Sequence, residues 1–223
     1  MARFEATRDG TGARWWEKTN DTGEITMYTI DVTITGTAPL LQHKFPLETL
    51  KDLMDGARRK TGALDYAQEW LATMYTHGGL LIQPANHIEA ALVRAASGFR
   101  IKGSRNKTYK DLMKAYVLIS PDEIPHQHDG MPITAPGPEL ALHPTAQLSV
   151  NVQRVIVARS AVARARLQIS AGWELTFVIT VNDDQIQTDV VQTILAEAGR
   201  AVGIGDYRPR YGRFAIKAFT ASA

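Results

Sequence analysis

The chain has 223 residues, of which 44% are hydrophobic and 22% charged, so it can bury a full core and is too balanced for wholesale disorder. It has no cysteine, which excludes disulfides and thiolate metal sites. Its first residues hold no apolar signal core, and no apolar run approaches the ~20 residues that span a bilayer. A soluble cytoplasmic protein without a membrane partner is expected.

Residues 1–24 are polar, with three glycines and the pair Trp15-Trp16. They read as an N-terminal arm, with 25–223 as one domain. From Ile25 to Thr35 the chain alternates: Tyr28, Ile30, Val32 and Ile34 face one way, Thr29, Asp31, Thr33 and Thr35 the other. This is a half-buried strand, ended by Gly36 and Pro39. Leu47, Leu50, Leu53, Met54 and Ala57 have helical spacing, and a second helix is predicted over 64–76. Gly78-Gly79 breaks it, and Leu80-Leu81-Ile82 is a short buried strand. Pro84 precedes a helix with Ile88, Ala91, Leu92 and Ala95 on one face. Phe99 to Lys107 is a basic loop, and Tyr109, Leu112, Met113 and Tyr116 mark a short helix. Residues 120–147 hold six prolines and three histidines and read as an irregular flap.

Ala161 to Ile169 alternates again, with Ala163, Ala165, Leu167 and Ile169 inward and Arg164, Arg166 and Gln168 outward. Ser170-Ala171-Gly172 reads as a turn, and Trp173, Leu175, Phe177, Ile179 and Val181 as the apolar face of a hairpin partner. Asn182-Asp183-Asp184 supplies capping acids for a helix through Ile186, Val190, Val191, Ile194, Leu195 and Ala198. Gly199 to Gly212 is glycine-rich, and Phe214, Ile216 and Ala218 form a last strand. Strand, helices, hairpin, helix, strand is the order of an α+β, ferredoxin-like (split βαβ) fold with an antiparallel sheet. Its parts would be the first strand, the helix at 87–97, the hairpin at 161–181, the helix at 185–199 and the last strand. The stretches 37–83 and 98–155 would be insertions.

The net charge is only +2, so its distribution carries more than its sum. Arg94 to Lys114 holds seven basic residues and one acid, Arg154 to Arg166 four arginines and no acid, and Arg200 to Lys217 five basic residues and one acid. Between the penultimate helix and the last strand lies Gly203-Ile204-Gly205-Asp206-Tyr207-Arg208-Pro209-Arg210-Tyr211-Gly212-Arg213. Gly203, Gly205 and Gly212 permit close backbone approach. Arg208, Arg210 and Arg213 offer planar forks for phosphates, and Tyr207 offers a face for stacking. The spacing is not that of a P-loop. The alternative is a tight turn whose arginines pair with acids. The loop carrying Arg100, Lys102, Arg105, Lys107 and Lys110 suits an electrostatic groove that tracks a backbone without reading sequence; the alternative is a solvated loop.

A helix, a glycine- and arginine-rich loop and then a strand resemble the C-terminal signature of the CRISPR-associated RAMP superfamily. Leu80 to Ile82 followed by the stretch Pro84 to Ala96 is similar to that superfamily's early strand and helix, although Ala85-Asn86-His87 stands where glycine and serine are usual. The resemblance implies a ferredoxin-like core that binds RNA. It implies either a backbone subunit polymerised along a guide RNA or an endoribonuclease that cuts with a histidine. A phage or plasmid protein that coats single strands could use the same core.

The resulting expectation is a non-catalytic subunit that binds RNA or single-stranded DNA by its phosphates. Its groove would be lined by Lys44, the 100–110 loop, Arg164, Arg166 and the 203–213 loop. Copies of itself, meeting head to tail through the Trp15-Trp16 arm and the flap, and other complex subunits would be its partners. The rivals are a metal-independent endoribonuclease, with His43 as base, and a protein–protein assembly module whose arginines meet acidic partners. His126-Gln127-His128-Asp129 lacks a clear third metal ligand, and no cofactor, metal or catalytic residue is assigned.

Overall fold

The computed structural model describes residues 27–45, 54, 70–157 and 160–222. The arm at 1–24, the helix expected over 47–57 apart from Met54, and residues 64–69 of the helix expected over 64–76 lie outside the described residues; of the rest of that helix, 70–72 are helical but Thr76 already belongs to a strand, so it ends earlier than expected. Two of the alternating segments become the central pair of strands, β1 (Tyr28–Gly36) and, much later, β11 (Glu174–Val181), antiparallel from Tyr28↔Val181 to Thr35↔Glu174. On the far side of β1 lies the last strand, β12 (Phe214–Ser222), and on the far side of β11 lies β5 (Val117–Ser120), both antiparallel to their neighbours. The order across this sheet is therefore β12-β1-β11-β5.

Helix α1 (Ala85–Ala96) lies between β1 and β5 in the chain, and α3 (Thr188–Glu197) between β11 and β12, with the short α2 (Lys110–Tyr116) before β5. Strand, helix, strand, strand, helix, strand with this pairing is the split βαβ connectivity. Each helix buries one stripe. Ile88, Ala91, Leu92 and Ala95 of α1 and Val191, Ile194 and Leu195 of α3 join Ile30, Val32, Ile34, Leu175, Phe177 and Ile179 of the sheet in one core. The opposite face, with Thr33 and Thr176 hydroxyls 3.1 Å apart, is polar.

Two expectations need correction. The segments 161–169 and 173–181 are both strands, but they do not form a hairpin with each other. Strand β10 (Ser160–Ile169) pairs with β9 (Leu148–Val157) and with the two residues of β2 (Leu40–Leu41), in a second sheet. Ser170–Gly172 is a corner where the chain passes from one sheet to the other, and Thr37–Pro39 is the matching corner in the opposed chain. The Gly36 N–H donates to the Trp173 carbonyl (2.7 Å), the Gly172 N–H to that of Gly36 (2.8 Å), and the Trp173 Nε1–H to that of Ala38 (2.9 Å). The fully buried Trp173 indole fills this crease, in the space a Cβ on Gly36 would take. Alternation identifies a strand, but three small residues after it fit a corner as well as a reversal.

The second correction follows from the first. The core strand left unfilled by β10 is β5, inside the stretch 98–155 expected to be an insertion. Residues 120–147 are no loose flap either. Strands β6 (Glu123–Pro125), β7 (Gln127–His128) and β8 (Met131–Pro132) run through them, with β6 against β4 (Leu80–Pro84) and β7 against β11. Strand β4 also pairs with β3 (Thr76–His77). Ile124, His126, Ile133 and Leu140 from this region are buried. The capping acids also serve differently. Asp183 accepts from the Gln185 N–H (2.7 Å) in a turn ahead of α3, whose N-cap is Gln187.

Candidate nucleic-acid interface

The glycine loop is held shut by backbone. After α3, a π-helical turn (Ala198–Val202) ends at Gly203, which like Gly205 and Gly212 has positive φ. The Ile204 N–H donates to the Gly212 carbonyl (2.9 Å), closing the loop's neck. Those of Gly212 and Asp206 donate to Pro39 (2.7 Å) and Leu41 (2.9 Å), pinning the loop over the corner and β2. A Cβ on Gly212 would overlap the Ile204 carbonyl, and one on Gly205 would lie 2.6 Å from the Leu41 carbonyl, so glycine here is a requirement of packing.

Asp206 anchors the inner side. Its Oδ2 accepts from Arg166 Nε at 2.5 Å, and its Oδ1 from the Tyr207 N–H at 2.9 Å. Arg166 is only 7% exposed, so the outward orientation expected for it is wrong. Its guanidinium stands 4.9 Å from the centre of the Tyr207 ring, a cation–π arrangement that fixes the ring, and Tyr207 itself has φ of 55°, unusual for a side chain of that size. Gln153 Nε2 donates to the Tyr211 hydroxyl (3.0 Å), tying the loop's return limb to β9. With its base fixed, the loop holds Arg208 and Arg210 at its exposed tip. Among the described residues no carboxylate pairs with Arg208, Arg210 or Arg213, unlike Arg200, which is paired with Glu197. The turn-with-paired-arginines alternative therefore fails for the tip.

A furrow runs from the loop along α1. Its first depression is lined by Leu41, Gln42, His43, Tyr75, Gln83, His87, Gly205 and Asp206. A second, lined by Arg94, Ala201, Val202 and Gly205 to Pro209, shares Gly205 and Asp206 with the first. A third, at Arg94, Ala95, Ser97 to Phe99, Glu197 and Val202, shares Arg94 and Val202 with the second. His87 and Arg94 are seven residues apart, which places them on one stripe of the helix, both toward the loop.

The wall of the first depression is a chain of buried amides and imidazoles. Gln42 Nε2 donates to the Ile82 carbonyl (2.9 Å), and its Oε1 accepts from the Tyr75 N–H (3.0 Å). Gln83 lies between two histidines, with Nε2 2.6 Å from His87 Nδ1 and Oε1 3.3 Å from His126 Nε2. His126 is fully buried, edge-on to Trp173 at 6.0 Å, and burial pushes its pKa down to about 3. Burial also lowers the pKa of His87, and the nearby Arg208 charge lowers it further.

The sequence-predicted site residues divide. Gly205, Tyr207 and Arg208 line the furrow, Gly203 and Gly212 are buried in the loop's neck, and Arg210 and Arg213 are exposed. Lys44 is exposed next to His43, its N–H on the Thr73 carbonyl (2.7 Å). Arg164 is half-buried on β10, and Arg166 supports the loop from inside. Arg100, Lys102, Arg105 and Lys107 are exposed on the loop between α1 and α2, and Lys110 is exposed at the start of α2, but only that loop's root, Ser97 to Phe99, reaches the furrow. His126 and His128 do not converge, since His126 faces the core and His128 Nδ1 contacts Asp129 Oδ2 at 3.1 Å. Arg94, His87, Tyr75, Gln83 and Gln42 were not foreseen as site residues. The seven-residue spacing of His87 and Arg94 was the one signal that could have found a pair of them.

No protein-family model matches the chain, and no curated protein matches it. Among solved structures it is similar to a chain of the Type III-B Cmr-beta bound to cognate target RNA, seen by cryo-EM. The two are 12% identical with a TM-score of 0.50 over 87% of this chain and 60% of that one, so this chain spans less than two thirds of its neighbour's length. A chain of a Type IV-B CRISPR complex is 13% identical with a TM-score of 0.44, over 87% of this chain and 90% of the other. At these identities the first likeness is one of fold. Among the described residues no helix is long and apolar enough to cross a membrane.

Proposed function

We propose that this chain is a non-catalytic subunit that binds single-stranded nucleic acid, RNA before DNA, by its phosphate backbone. It would work in the cytoplasm as repeated copies within a CRISPR-type ribonucleoprotein. One observation carries the reading. Arg94 from α1 and Arg208 from the glycine loop line one depression, and among the described residues neither has a carboxylate partner. Unpaired guanidinium groups on a fixed frame suit an anion with several acceptor oxygens, and a phosphodiester is one. Tyr207, held by Arg166, adds a stacking face, which any base can use whatever the sequence. The fold likeness to a chain of a complex bound to target RNA supports the same reading. Exposed Met131 and Leu142 in the 120–147 region, together with the Trp15-Trp16 arm, remain the proposed contacts between copies. Nucleic acid that co-purifies with the protein, raises its 260/280 nm absorbance ratio and disappears with ribonuclease would support the proposal. Clean protein that fails to bind random oligonucleotides at low salt would defeat it.

A second reading rests on His43 and His87 lining one depression, as two imidazoles of a metal-independent endoribonuclease would. Cleavage of a labelled hairpin RNA in the presence of chelator separates it from the first.

A further inference from the structure

The hydrogen bonds behind the first depression decide which proton His87 carries. Among the described residues the His126 ring has one hydrogen-bond contact, from Nε2 to Gln83 Oε1, and its Nδ1 is buried without a partner. If Nδ1 held the proton, a buried donor would be orphaned, which costs more than an unused lone pair on a neutral ring. His126 therefore donates from Nε2 to Gln83 Oε1, which turns the Gln83 amide nitrogen toward His87. That nitrogen donates to His87 Nδ1, so the His87 proton sits on Nε2. Protonating Nδ1 as well would set N–H against N–H and require the Gln83 amide to flip, stranding His126. Burial and the Arg208 charge act in the same direction. His87 is thus a neutral ring whose remaining nitrogen can donate and has no lone pair to act as a base.

The same depression offers an acceptor. Asp206 uses one lone pair on each oxygen, toward Arg166 and Tyr207, and has others left. Among the described residues no lysine or arginine lines it, and it is small, about 140 Å³ against 290 Å³ for the arginine-lined depression that shares Gly205 and Asp206 with it. A fixed neutral donor and a carboxylate lining one small depression match a group that both accepts and donates and carries no charge. On a strand whose phosphate sits in the neighbouring arginine-lined depression, which shares Gly205, that group would be the sugar hydroxyl. We propose that the depression between β2, Tyr75 and the start of α1 is a ribose 2′-hydroxyl subsite, with His87 Nε2–H donating to the hydroxyl oxygen and Asp206 accepting its proton. It rests on the nucleic-acid reading above and makes the protein selective for RNA over DNA.

The test compares one unstructured sequence as RNA, as 2′-fluoro RNA and as DNA. The 2′-fluoro strand keeps an RNA-like sugar pucker without a hydroxyl to donate. The unaltered protein should bind RNA about five- to tenfold more tightly than either other strand, the worth of one or two hydrogen bonds to a neutral group. His87→Ala should bring RNA down to the level of DNA, with DNA affinity and the salt dependence of binding unchanged, because a neutral donor releases no counterion. Equal affinity of the unaltered protein for all three strands would overturn the subsite while leaving phosphate binding intact. Tight binding of 2′-fluoro RNA would overturn it too, in favour of strand shape. A uniform loss across the three strands in His87→Ala would make His87 a merely structural residue. Failure to bind any of them would take the phosphate reading down as well.

Discussion

Replacing Asp206 by alanine strips the partner from a guanidinium that water barely reaches. Arg166 is 7% exposed, and its Nε lies 2.5 Å from Asp206 Oδ2. Removing one member of a fully buried pair costs about 3–5 kcal/mol, because the other charge is stranded. The Asp206 side chain is 33% exposed, so water entering the vacated space offsets part of that, and about 2–3 kcal/mol is the expected loss. For a chain of this length that is a fall in Tm of roughly 4–12 °C. Thermal unfolding followed by circular dichroism measures it. The double variant Asp206→Ala with Arg166→Met should recover most of the loss, since no charge is then left buried. A fall below about 1 °C for the single variant, or a double variant less stable than the single one, would refute the claim that this ion pair supports the loop.

Three further outcomes are expected. His126 has a folded pKa near 3, below the roughly 6.5 of an unfolded histidine, so its neutral form is favoured by folding. That stabilisation is whole above about pH 6.5 and is lost as pH falls toward 3, by up to about 1.4 kcal/mol per unit. Urea midpoints at pH 7.5, 6 and 5 should therefore fall more steeply in the unaltered protein than in His126→Gln, and parallel slopes would count against it. Gly212→Ala should cost well over 2 kcal/mol, because its Cβ meets the Ile204 carbonyl, whereas Gly78→Ala, with positive φ but open space, should cost about 1–2 kcal/mol; similar Tm values for the two would contradict the loop geometry. Gly36→Ala should displace the Trp173 indole from the crease between the sheets, visible as a red-shifted tryptophan emission, and an unchanged spectrum would mean the crease can relax around a methyl group.

Much of the fold was written in short-range patterns. Alternation in 28–36 and 174–181 and helical spacing in 85–96 and 188–197 each specify one buried face, and those four segments meet in the core. What alternation cannot specify is the partner. Val117 to Ser120 is too short to stand out, yet it takes the sheet position that the longer 160–169 seemed to fill, because Gly36 and Trp173 turn both chains through a corner. The candidate site was half legible. Glycines and arginines crowded into 203–213 announced a tight loop with an exposed basic tip. Arg166 read as a surface residue because strand period alone sets its direction, and only Asp206, forty residues on, gives its charge a reason to be inside. His87 was hidden for the opposite reason. It sits in a helix with an ordinary apolar stripe, and its chemistry depends on Gln83, His126 and a loop more than a hundred residues away.

The central claim is that Arg208 and Arg210 hold phosphates, and the salt dependence of single-stranded RNA binding tests it most directly. Each phosphate neutralised on a single strand contributes about 0.7 to the slope of log affinity against log salt. Arg208→Ala with Arg210→Ala should flatten the slope by about 1.4 as well as weaken binding, while Arg200→Ala, already paired with Glu197, should leave the slope as it was. An unchanged slope and affinity in the double variant would contradict the account and leave the loop a structural turn.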